Sequence, residues 1–114
     1  MNRVEFTKKI CLLIEDMEAA GEFPILDYTK RSDAEQKRLF DLGLSRCDGV
    51  TKISKHQLGL AADIYFQDEY DRDKDGITKE LIEPAYGWKF WHMKWEKYHG
   101  GKPMIEWDKG HFEG

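Results

Sequence analysis

The sequence predicts an α+β fold, a single domain over residues 1–114 with a small, mostly antiparallel sheet and flanking helices. Two observations predict it. An apolar stripe of helical period runs through residues 3–20, and a second capped helical segment follows at residues 32–43. Between and after them lie short apolar runs bounded by Pro, Gly and Asp, which read as strands. A chain of 114 residues suits one domain with one modest core.

The first helix carries Phe6, Ile10, Leu13 and Met17 at intervals of three or four. Asn2 can cap it, with Glu5 placed as in a capping box, and Gly21 ends it. Residues 23–29 read as an extended segment at a sheet edge, because Pro24 cannot donate to a central ladder. Ser32-Asp33-Ala34-Glu35 is a capping box for the helix that runs to Gly43, with Leu39, Phe40 and Leu42 as its apolar contacts. Residues 44–53 read as a polar loop that ends in a strand delivering Ser54.

Ser54 can cap a short turn carrying His56, and Gly59 can take a positive φ to leave that turn. Asp63 to Phe66 then reads as a strand. Alternation sends Ile64 and Phe66 to one face, Asp63 and Tyr65 to the other. Thr78 to Tyr86 reads as a short helix ended by Gly87. Trp88 to His99 is an aromatic-rich stripe of core character, with one ring available to a cleft. Gly100, Gly101 and Pro103 break the chain, and Met104 to Trp107 reads as a strand leading into Asp108 and His111.

The composition is ordinary for a soluble protein, 40% hydrophobic and 35% charged, with a net charge of −4. No basic patch points to nucleic acid. The apolar run Ile10 to Ile14 is too short for a membrane anchor and lacks the form of a signal peptide. Synthesis in the cytoplasm is therefore expected, as a monomer. Cys11 and Cys47 are far apart and read as buried free thiols.

Chemistry concentrates in two stretches, Ser54 to Asp63 and Asp108 to Glu113. They supply the imidazoles of His56 and His111 and the carboxylate of Asp63, a donor set suited to zinc. Three N/O ligands leave a coordination position for water. Asp108, three residues before His111, is the candidate general base. Glu106 competes for that role. Glu113 shares a strand face with His111 and can orient its ring. His92 and His99 fall in no ligand-like pattern and read as structural. Asp71, Asp73 and Asp75 match the first half of a calcium loop, followed by Gly76, but Ile82 stands where the bidentate Glu belongs. Calcium binding and a plain acidic turn both stay open.

Ser-x-His-x-x-Gly-x-Ala-x-Asp followed by Asp-x-x-His-Phe-Glu resembles the M15 zinc peptidases, which cleave the stem peptide of peptidoglycan. Arg31 to Gln36 is similar to that family's Arg-Ser/Thr-x-x-x-Gln stretch, so the resemblance spans about Thr29 to Glu113. It implies the M15 (Hedgehog/DD-peptidase-like) zinc peptidase fold, with zinc on His56, Asp63 and His111 and Asp108 as base. It also implies that Arg31 fixes a substrate carboxylate, and that Gln36 and Ser54 contact substrate. Asp at the base position favours the L-alanyl-D-glutamate endopeptidases common among phage endolysins. Action on the cell wall would then follow release from the cell. The alternatives are a D-alanyl-D-alanine carboxypeptidase or dipeptidase, and an inactive wall-binding module that keeps its metal. A dead homologue would tend to lose Asp108 or add a fourth ligand, and neither is seen in these motifs.

Overall fold

A computed structural model describes residues 1–28, 32–67 and 82–114. Among these, three helices and a three-stranded antiparallel sheet form an α+β domain. Helix α1 (Arg3–Ala19) starts at Asn2, whose side chain accepts the Glu5 N–H at 2.8 Å. Its stripe of Phe6, Ile10, Leu13 and Met17 is buried as the period requires.

Strand β1 (Pro24–Tyr28) is at the sheet edge, as Pro24 demands. It pairs with β2 (Ala61–Phe66), which lies between β1 and β3 (His111–Glu113). Alternation divides the sheet into two faces. Ala62, Ile64, Phe66 and Phe112 turn towards α1 and α3 (Trp88–His99), where they join Trp91 and Trp95 in one core. Asp63, Tyr65, His111 and Glu113 take the opposite face. The ring of Phe6 meets Trp95 edge-on, with centroids 5.9 Å apart, which ties the two helices together.

Several expectations need correction. Helix α2 (Asp33–Asp41) is capped by Ser32 as predicted, but Phe40 and Leu42 are exposed and Leu39 is half-buried. Its buried residue is Gln36, because the helix packs against a polar loop rather than the core. Residues 44–53, ahead of Ser54, hold no strand. The loop is instead organised by Asp48, whose carboxylate accepts the N–H groups of Val50, Thr51 and Lys52 at 2.8–2.9 Å. Met104 to Trp107 is not a strand, because it finds no partner and closes into a turn ahead of Asp108. The described part of the expected 78–86 helix is not helical: Ile82 makes an isolated bridge to Phe66. Cys11 is exposed, not buried. No helix among the described residues is long and apolar enough to cross a membrane.

Candidate metal centre

Each site residue is placed by a local device. Ser54 Oγ accepts the Gln57 N–H, while Gln57 Oε1 accepts the Ser54 N–H, a reciprocal cap that closes the turn carrying His56. The Gln57 amide also donates to Asp33 Oδ1 and the Gly49 carbonyl, so that turn is anchored to α2 and the preceding loop. Gly59 leaves the turn at φ +69°, with the Arg3 side chain only 2.7 Å from where a Cβ would sit.

The sheet supplies the other two groups. Asp63 and His111 are direct cross-strand partners on the face away from the core. Gly110 lets the chain enter β3 at close range, since a Cβ there would lie 2.8 Å from the Tyr65 ring and 3.1 Å from the Ile64 carbonyl oxygen. That close approach allows the Ile64 N–H to donate to the Gly110 carbonyl at 2.8 Å.

These devices converge three donors. Asp63 Oδ1 lies 3.2 Å from His56 Nε2 and 3.5 Å from His111 Nδ1. One donor atom from each of the three residues falls within 4.8 Å of the others. Asp63 Oδ1 is buried and accepts no hydrogen bond of proper geometry from either ring. Buried polar atoms rarely stay so, and atoms that share a common cation face it rather than one another. Tetrahedral ligands at about 2.0–2.1 Å from zinc stand about 3.3 Å apart, close to the two separations here. The group could hold a metal ion, and imidazole nitrogen beside carboxylate oxygen is a donor set that zinc accepts.

Glu113 Oε2 lies 3.1 Å from His111 Nε2. With Nε2–H donating there, the Nδ1 lone pair is left for the metal side. Burial works against ionising Asp63, yet the His111 and His56 imidazoles outweigh it and hold its carboxyl at about 2. Burial likewise works against protonating His111, but Asp63 and Glu113 outweigh it and raise its pKa above the ordinary value. Both shifts belong to a compact cluster of opposite charges that a cation would complete.

Asp108 stands beside this group. Its Oδ2 is 3.9 Å from His111 Nδ1, and a turn from the Asp108 carbonyl to the His111 N–H holds the pair together at 3.1 Å. It lines a cleft of about 330 Å³ together with His56, Asp63 and His111. Ser54 lines it too, so its hydroxyl serves as a cap at the cleft wall. Glu106 faces a different depression, beside Trp88 and Lys109, and is not in position to act at this site. Gln36 is fully enclosed, and its amide donates to Ser45 Oγ and the Cys47 carbonyl. It braces the loop of the cleft wall and is not among the residues that line the cleft. Arg31 and the acidic residues Asp71, Asp73 and Asp75 lie outside the described residues.

Other residues of the site were not apparent from the sequence. His92 is buried, stacks on Phe112 at 4.0 Å, and lies 2.6 Å from the Lys109 carbonyl oxygen through Nε2. A carbonyl only accepts, so Nε2 carries the proton and pins the turn between Asp108 and His111. Tyr65, beside Asp63 on the same face, is pushed up to about 12 by burial and by the charges of Asp63, Asp108 and Asp27. It stays a phenol. The ring in the cleft is Trp107, which comes from the turn before Asp108 and not from the helical aromatic stripe. The sequence signal was only that a Trp adjoins Asp108.

A scan of the chain against protein-family models gives no match, and a search of curated proteins gives none either.

Proposed function

We propose that the chain is a zinc peptidase of M15 type that hydrolyses the L-alanyl-D-glutamate bond of the peptidoglycan stem peptide. The observation that carries this reading is the convergence of His56, Asp63 and His111 at an open cleft with Asp108 beside them. When bound, zinc supplies the Lewis acidity that activates water and polarises a peptide carbonyl.

The chain's own residues do the rest. His56 and His111 would give neutral nitrogen donors and Asp63 one carboxylate oxygen, a ligand set that leaves a coordination position for water or a peptide carbonyl. Asp108 is about a third exposed and is not among the three converging donors. From its place in the cleft wall beside His111 it would take a proton from the attacking water and pass it to the leaving amine. Glu113 holds the His111 ring, and His92 pins the turn between Asp108 and His111 at the Lys109 carbonyl. Ser54 keeps its hydroxyl at the cleft wall.

Digestion of purified peptidoglycan by the zinc-loaded protein, with mass spectrometry of the fragments, tests the reading. New amino-terminal D-glutamate is the expected product end. Release of D-alanine alone would identify a carboxypeptidase instead, and intact peptidoglycan would remove the peptidase reading.

A further inference from the structure

The cleft has two chemically distinct walls. The sheet side carries Asp63, Asp108 and Glu113; the loop side carries Arg46, Lys52 and Lys55. None of these three cations has an ion-pair partner among the described residues. That is notable in a chain with 22 acidic and 18 basic residues, where surface cations easily find carboxylates. Arg46 is also held in place. Its guanidinium carbon sits 4.4 Å from the ring centroid of Trp107, which is 64% exposed. This contact joins the loop ahead of His56 to the turn ahead of Asp108, the two segments that border the cleft.

Stacking leaves the edge donors of a guanidinium available while restricting its motion. An arginine fixed in this way is prepared to take a carboxylate through paired hydrogen bonds. Leu44, Ile53 and Ile105 add apolar surface around it, as a peptide site needs. We propose that Arg46, seated on Trp107 and supported by Lys52, is a carboxylate subsite that selects peptides bearing a free side carboxylate next to the scissile bond. For the choice of ligand this rests on the peptidase reading. For the glutamate of a stem peptide, the group read would be the α-carboxylate left free by its γ-linkage.

The test uses two synthetic peptides, L-alanyl-γ-D-glutamyl-L-lysine and the same peptide with the glutamate α-carboxylate converted to the amide. Binding is measured by calorimetry on zinc-loaded Asp108→Asn protein, which avoids turnover. The free carboxylate should bind about tenfold tighter than the amide, the scale of a charge-assisted contact. Arg46→Gln in the same background should shrink that preference to within about twofold, with zinc content and melting temperature unchanged. Trp107→Leu should weaken the carboxylate peptide more than the amide. No preference, no binding of the carboxylate peptide, or a preference that survives Arg46→Gln would overturn the subsite. Cleavage by the wild-type protein is read separately. An Arg46-dependent preference without cleavage removes the peptidase reading and keeps the subsite; equal cleavage of both peptides does the reverse.

Discussion

Asp63 and His111 face each other across adjacent antiparallel strands, with Asp63 Oδ1 3.5 Å from His111 Nδ1 on the face that α1 and α3 leave free. A sheet pair fixes that separation more firmly than two loops could, because the strands are held by ladder hydrogen bonds and by the core residues Ala62 and Ile64 around Asp63 and Phe112 beside His111. Ala62 and Phe112, the next pair, are fully buried on the opposite face. The core thus sets the geometry of the site through a single residue step.

Asp108→Asn keeps the size of the side chain and removes its basicity. It should retain zinc and fold normally, while kcat falls about a hundredfold to ten-thousandfold. Asp108→Glu should recover part of the activity. Steady-state kinetics beside metal analysis on the same samples checks both.

Glu113→Leu should weaken zinc binding about tenfold to a hundredfold, because His111 loses the acceptor that fixes its tautomer. Competition against a chelating dye measures it. Unchanged affinity would show that the ring is oriented by its packing alone.

His92→Phe retains the stack on Phe112 but removes the donor to the Lys109 carbonyl. Stability to denaturant should drop by about 1 kcal/mol, with a larger relative loss in kcat as the Asp108–His111 turn loosens. A loss of stability with kcat intact would leave His92 purely structural.

The Asp48 loop should respond to acid. The Thr51 hydroxyl and then the backbone N–H groups lower its pKa beneath the ordinary carboxylate value. A lowered folded pKa means the clamp contributes fully above the unfolded value near 3.8 and is lost as pH falls through the folded one. The amide resonances of Val50, Thr51 and Lys52 should therefore hold steady down to about pH 4 and shift together below it. Movement near neutral pH would assign them another partner.

Much of this site was legible because its parts depend on local rules. The caps at Asn2, Ser32 and Ser54 follow from side chains that compete for free N–H groups, and Asp63 and His111 share a face because strands alternate. The α1 core stripe follows from helical period. What stayed hidden depends on tertiary partners. Met104 to Trp107 has strand-like residues but no neighbouring strand to pair with, so it turns and leaves Trp107 exposed. Gln36 is buried because a loop folds over it, which no periodicity encodes. The Arg46–Trp107 contact joins two irregular segments far apart in sequence.

Zinc content and peptidoglycan cleavage, measured together on wild-type and His56→Ala protein, test the central claim most directly. The wild type should hold about one zinc per chain, as the one three-residue group among the described residues implies, and release stem-peptide fragments that vanish on chelation and return with zinc. His56→Ala should lose both the metal and the cleavage while remaining folded. Undiminished zinc in His56→Ala, or cleavage that persists without metal, would contradict the account.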